Sequence, residues 1–126
     1  MEKHMHHEDL IKGAQEQLQG IFDESEQAIY LYLDDTHKAC NDKFASMLGY
    51  ESTAAWAKTK EMLLDVDEAQ RELLVDAYQA AMEKQIGSSI QLKWNKKNGG
   101  SIMTNVILVP FIYDGHLLAL HFISKI

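Results

Sequence analysis

The chain has 126 residues, a formal net charge of −7 and a single cysteine. This length fits one compact domain with one core. An acidic surface repels phosphate backbones and a lone cysteine cannot form an internal disulfide, so the composition argues against nucleic-acid binding and suits a reducing compartment. The N-terminus is polar where a signal peptide is apolar, and the longest apolar run, 106–113, is too short to span a bilayer. We therefore expect a cytoplasmic protein with no membrane partner.

Periodicity predicts a helix at the start of the chain, over residues 8–22. Four apolar residues are spaced as in a short coiled-coil seam: Ile11, Ala14, Leu18 and Ile21. Gly13 and Gly20 each weaken the helix by about 1 kcal/mol relative to alanine. Such a helix needs a partner surface to stay folded.

Two strands are predicted next, over 28–33 and 37–40, joined by turn-forming residues. In the first strand, aliphatic residues alternate with Tyr30 and Tyr32, so its two faces are unequal.

Helices are predicted to follow these strands. Asn41 is placed to cap a helix that ends at Gly49, and Ser52 to cap a second, shorter helix. Residues 60–66 have no clear pattern, and a longer amphipathic helix is predicted over about 67–85.

Three strands are predicted to close the chain: 89–95, 101–113 and 117–126. The turn signals between them are Asn98-Gly99-Gly100 and Asp114-Gly115. Pro110 lacks an amide hydrogen, so it should lie near a strand end or at an unpaired edge. The order of elements predicts an α+β fold, a five-stranded antiparallel sheet with helices on one face, plus the N-terminal amphipathic helix.

Several motifs in this order resemble those of PAS domains. Residues 40–50, which read CNDKFASMLGY, resemble the asparagine-to-glycine-tyrosine segment of that family. Residues 96–99 resemble the hairpin turn between the family's third and fourth strands. Pro110 with Asp114-Gly115 resembles the hairpin turn between its fourth and fifth strands. The resemblance covers about 22–126 and implies a PAS-like sensory module that dimerises through the helix before its first strand.

The resemblance divides the chain into a polar tail and dimerisation helix at 1–21 and a PAS domain at 22–126. PAS domains usually continue from their last strand into an output helix. Because this chain stops on its last predicted strand, at Ile126, we expect either a stand-alone sensor or an excised fragment.

Haem and flavin, two cofactors of PAS domains, are disfavoured. The long predicted helix contains no histidine to ligate haem iron, and His37, His116 and His121 are predicted at turns or on the outer strand face. A LOV-type flavin sensor needs a reactive cysteine at a helix start, whereas Cys40 ends a strand and is interpreted as a small buried hydrophobe. By the same resemblance, Trp94 would fill the flavin's space.

No metal site is predicted. His4, His6 and His7 could chelate a transition metal with help from Glu8 or Asp9. A polar terminus is the preferred interpretation, because no second cluster of ligands lies nearby in the sequence.

Strand alternation predicts a mostly apolar face turned toward the helices. The predicted ligand-pocket residues are Leu31, Leu33, Met47, Leu74, Tyr78, Leu92, Trp94, Thr104, Val106, Leu120 and Phe122. A filled core with no ligand is the first interpretation. The second is a cavity for an unidentified small apolar metabolite, oriented by Thr104 or Tyr78.

The opposite sheet face is predicted to be an exposed apolar patch, which usually marks an interface. The N-terminal helix should pack across this face, its own or a partner's, within a homodimer. The predicted interface residues are Ile11, Ala14, Leu18, Ile21, Tyr30, Tyr32, Ile107, His121 and Ile123.

These features favour a non-catalytic sensory domain that dimerises and acts on a signalling protein such as a histidine kinase or a transcription regulator. A pure protein-interaction module with a filled core is the first alternative. A small cavity enzyme is the second, but it needs a buried acid or base. The predicted inward residues include no Asp, Glu or His, and Asp65 and Asp67 near the rim are the only acidic candidates.

Overall fold

The computed structural model describes residues 6–126. Its helices and strands in chain order are α1 (His7–Gln17), α2 (Gln19–Glu24), β1 (Ala28–Asp34), β2 (His37–Cys40), α3 (Asp42–Leu48), α4 (Thr53–Ala57), α5 (Arg71–Lys84), β3 (Ser88–Asn95), β4 (Ser101–Tyr113) and β5 (His116–Lys125). Two short 3-10 turns, Met62–Asp65 and Glu68–Gln70, precede α5. The five strands form one antiparallel sheet in the order β2-β1-β5-β4-β3, which confirms the predicted α+β fold.

The helix boundaries follow the predicted caps. The Asn41 side chain accepts a hydrogen bond from the Phe44 amide, and Gly49 ends α3 with a φ of 85°, where a Cβ would be strained. Ser52 caps α4 by accepting from the Ala55 amide. Within residues 6–126, no helix is long and apolar enough to cross a membrane.

The N-terminal segment forms two helices rather than the single predicted one, with a break at Leu18. Both pack on the outer face of their own sheet. Gly13 makes this close approach possible, because a Cβ there would lie 2.1 Å from the hydroxyl of Tyr113. We call the resulting apolar group the outer cluster: Ala14, Leu18, Phe22, Ile29, Leu31, Ala39, Leu118 and Leu120.

The larger core lies on the other side of the sheet, beneath α3, α4 and α5. We call it the inner cluster, and its members include Tyr30, Phe44, Leu48, Trp56, Leu92, Trp94, Val106, Leu108 and Ile123. Strands β1 and β5 contribute side chains to both clusters, so these two central strands are covered on both faces.

The predicted orientation of the strands is right for β3 and β4 and wrong for β1 and β5. The pairing of β4 with β5 sets Val106 opposite Ile123 and Leu108 opposite His121, and paired residues share a face. The β1 and β5 residues predicted to face outward therefore face the inner cluster: Tyr30, Tyr32, His121 and Ile123. Those predicted to face inward lie on the outer face: Leu31, Leu33, Leu120 and Phe122.

Pro110 lies inside β4, opposite Ala119 of β5. The pairing of β3 with β4 ends at Ser88 and Leu108, so beyond this point β4 has a neighbour on one side only. The proline therefore occupies a locally unpaired edge, as expected from its missing amide hydrogen.

Candidate functional site

A small cavity lies between the inner face of the sheet and α5. Its walls are four aromatic side chains with polar atoms and four apolar ones: Tyr30, Tyr32, Tyr78, His121, Met62, Leu63, Leu74 and Val75. Its volume is about 70 Å3. A few water molecules fit in such a space, whereas drug-sized ligands occupy pockets of about 300–1,000 Å3.

The register of the sheet places the aromatic side chains of this cavity. Tyr30 and His121 are direct partners on β1 and β5, and their rings stack with centroids 3.7 Å apart and planes 11° from parallel. Tyr32 follows two residues later on the same face of β1. Its ring is perpendicular to that of Tyr78 on α5, with centroids 5.4 Å apart.

The polar groups of the cavity are held in their neutral forms. Burial lowers the pKa of His121 to about 3, so its imidazole is uncharged at neutral pH. Burial also raises the pKa of the Tyr30 hydroxyl, with a further contribution from Tyr32. The pKa of Tyr78 is raised by burial and by the charges of the nearby Asp34 and Asp35. The cavity therefore offers uncharged hydrogen-bonding groups.

The hydroxyl of Tyr30 is the most unusual of these groups. Within residues 6–126 it has no hydrogen-bond partner, and neither has the indole nitrogen of Trp56. The two rings are neighbours, with centroids 5.4 Å apart, and Phe44 lies 4.9 Å from Tyr30. A buried, unsatisfied polar group costs about 1–3 kcal/mol, and it marks a place where a small polar molecule can gain a hydrogen bond.

Trp94, on the edge strand β3, packs within the inner cluster. Its side chain is fully buried, and its indole nitrogen donates to the hydroxyl of Thr104 over 2.9 Å. That hydroxyl donates in turn to the carbonyl oxygen of Leu92 over 3.0 Å. The threonine expected to orient a ligand is therefore engaged inside the core.

The predicted pocket residues separate into four groups. Leu74 and Tyr78 line the cavity. Met47 lines an open cleft between α3 and the end of β5. The inner cluster contains Leu92, Trp94 and Val106, and Thr104 is buried beside them. None of these four residues lines the cavity. The outer face holds Leu31, Leu33, Leu120 and Phe122.

The predicted interface residues are mostly covered by the chain itself. Ala14 and Leu18 are buried in the outer cluster, and Ile11 packs against it. Ile21 and Ile107 are well exposed, with 47% and 45% of their surfaces accessible. The others face the inner cluster: Tyr30, Tyr32, His121 and Ile123.

The structure also locates the side chains considered as an acid, a base or a reactive thiol. The expectation that no histidine faces inward is wrong, because His121 is buried in the cavity wall. Asp65 accepts a hydrogen bond from the hydroxyl of Tyr50, and burial raises its pKa. Cys40 is buried as predicted, and burial raises its pKa to about 12, which keeps the thiol protonated and unreactive. Asp67 does not line the cavity.

Comparison with known proteins bears on the fold. No family model matches this sequence, and no curated protein matches it either. A PAS domain from a two-component sensor histidine kinase superposes with a TM-score of 0.67 at 12% identity, covering 91% of this chain and 98% of that one. A PAS domain from Colwellia psychrerythraea gives 0.72 at 17% identity, with coverages of 90% and 97%. A LOV protein from Rhodobacter sphaeroides gives 0.71 at 15%, with coverages of 91% and 68%.

Proposed function

Because this chain has the PAS fold, we propose that it is a non-catalytic sensory or signal-transduction module that acts through contacts with other proteins. The observation that carries this proposal is the filled inner face, where Trp94 is fully buried and the cavity beside Tyr30 has a volume of only about 70 Å3. A flavin, a haem or an ordinary metabolite needs several times that volume. The small volume supports a module that works without these cofactors.

The surface that supports protein contact is the part of the outer sheet face beyond the N-terminal helices. Ile107 and Met103 on β4 are 45% and 39% exposed, and Ile21 on α2 is 47% exposed. We propose that a second copy of the chain covers this face, with the segment 1–21 contributing Ile21. The assembled module then acts on a signalling protein such as a histidine kinase or a transcription regulator, in the cytoplasm.

Replacing Ile107 with glutamate tests the homodimer. The charge would have to be buried in the interface, so we expect the dimer to weaken by at least tenfold, which corresponds to about 1.4 kcal/mol. Sedimentation equilibrium over a concentration series measures this change. Ile112→Glu is the matched control, because Ile112 lies on the same strand, is 58% exposed and lies near the β4–β5 turn. A monomeric wild-type protein, or equal dimer strength in both variants, would contradict the proposed interface.

A second candidate function, the binding of a very small neutral molecule, is favoured by Tyr30, which lines the cavity and whose buried hydroxyl has no hydrogen-bond partner among residues 6–126. The Tyr30→Phe variant distinguishes a cavity that binds a small molecule from a filled core without a ligand. Without a ligand, removal of an unsatisfied hydroxyl should raise the free energy of unfolding by about 1 kcal/mol. Tyr50→Phe, which removes a hydrogen bond that is made to Asp65, should lower it by a similar amount.

Urea unfolding followed by circular dichroism compares the two tyrosine variants. If Tyr30→Phe is as destabilising as Tyr50→Phe, the hydroxyl has a partner, and mass spectrometry of the protein as purified then identifies what is bound. A stabilised Tyr30→Phe variant supports the filled core.

A further inference from the structure

The first turn of α1 meets the turn between β1 and β2 at a cluster of three side chains. His7 Nδ1 lies 2.8 Å from Asp34 Oδ2, and His37 Nδ1 lies 2.7 Å from Asp34 Oδ1. Each oxygen of one carboxylate thus faces one imidazole. The two imidazole rings are perpendicular, with centroids 5.3 Å apart. One ligand atom from each of the three residues lies within 4.8 Å of the other two.

The carboxylate of this cluster is fixed by its own turn. The amide and the hydroxyl of Thr36 each donate to Asp34 Oδ1 over 3.0 Å. The side chains remain accessible, since 57% of His7, 37% of Asp34 and 23% of His37 is exposed. His7 and His37 also line an adjoining open cleft, together with three more side chains that can bind metals: His6, Glu8 and Asp9.

We propose that His7, Asp34 and His37 form a binding site for a divalent transition-metal ion such as Zn2+, which fastens α1 to the turn between β1 and β2. Imidazole and carboxylate ligands at about 2.0–2.2 Å from zinc, near tetrahedral or right angles, lie about 3.0–3.4 Å from each other. His7 and His37 contact different oxygens of Asp34, and one ligand atom from each of the three residues lies within 4.8 Å of the other two, so a bound ion would draw the three atoms closer together. Two imidazoles select zinc, nickel or copper over calcium and magnesium.

The sequence analysis predicted no metal site, because it considered only ligands that lie close together at the start of the chain. His7 belongs to the histidine-rich start of the chain, but its partners lie 27 and 30 residues further on. His4 lies outside the described residues. The ion would hold the end of α1 against β1 and β2, so metal supply would control how firmly the N-terminal helix stays docked.

Cobalt and zinc titrations of the chelator-treated chain test the proposal. Cobalt absorbance should show one saturable ion per chain, and zinc should displace it. Loss of outer-shell partners alone lowers metal affinity by about 10–100-fold, so Asp34→Asn and His37→Gln, which remove ligands, should each lower it at least as much. Asp34→Asn keeps an oxygen to accept from Thr36, so the turn is retained. His116→Gln, at the far β4–β5 turn, is the control and should bind as the wild type does.

Two outcomes would overturn the site. If the wild type shows no saturable cobalt binding, the three side chains form only a hydrogen-bonded cluster. If Asp34→Asn and His37→Gln bind as tightly as the wild type, the N-terminal histidines hold the ion without the sheet. A second readout separates loss of ligands from loss of fold: zinc should raise the Tm of the wild type but not of His37→Gln, while urea midpoints in chelator stay similar.

Discussion

Replacing Asn41 with alanine is expected to lower the free energy of unfolding by about 3 kcal/mol or more. The side chain is 4% exposed, and its Oδ1 accepts from the amides of Ile29 and Phe44, both over 3.0 Å. Its Nδ2 donates to the carbonyl oxygen of Gln27 over 2.9 Å. Loss of a helix cap costs about 1 kcal/mol, and each buried backbone group left without a partner costs about 1–3 kcal/mol.

Ser52→Ala is the matched control for this variant. Ser52 also caps a helix, but it is exposed and makes one such bond, to the Ala55 amide over 3.0 Å. Its loss should cost about 1 kcal/mol. Urea unfolding followed by the fluorescence of the buried Trp56 and Trp94 measures both variants. Equal effects would show that Asn41 acts as a helix cap and does not join β1 to α3.

Stability is expected to fall by about 2 kcal/mol between pH 7 and pH 5 through His121 alone. Its pKa is about 3 in the folded protein because of burial, against 6.5 for an ordinary histidine. Between these values the unfolded chain binds more protons than the folded chain, so acid favours unfolding. The contribution is complete above pH 6.5 and is lost progressively as the pH falls toward 3.

His121→Phe should remove this part of the pH dependence while keeping an aromatic ring stacked on Tyr30. His116→Gln should retain it, since His116 is exposed at the start of β5. Urea midpoints at several pH values, compared between each variant and the wild type, separate the histidine from the carboxylates that also titrate. A wild-type slope that persists in His121→Phe would contradict the buried, neutral imidazole.

The features that the sequence predicted well depend on short-range chemistry. The caps at Asn41 and Ser52, the glycine that ends α3 and the β4–β5 turn all lie within a few residues of the groups they contact. The predicted orientation of β1 and β5 failed because it assumed that aliphatic side chains face the main core. Here the N-terminal helices bury aliphatic side chains on the other face of the sheet, so hydropathy does not distinguish the two faces.

A signal for the correct orientation was nevertheless present in the turn at Asp114-Gly115. A two-residue turn sets Tyr113 opposite His116, and counting along both strands sets Leu108 opposite His121. With Leu108 inward, His121 must also be inward, and Tyr30 with it. The meeting of His7 with Asp34 and His37 has no comparable signal, because it depends on how α1 docks across the sheet.

The position of β1 between the two clusters couples the two faces of the sheet mechanically. Tyr30 lines the inner cavity, and the next residue, Leu31, packs beneath the N-terminal helices. Successive side chains point to opposite faces of a strand that rises about 3.3 Å per residue. A shift of Tyr30 therefore reaches the helices through one peptide unit of backbone. A displacement on one side of the sheet thus reaches the other side without a relay of side chains, because a single strand contributes to both clusters.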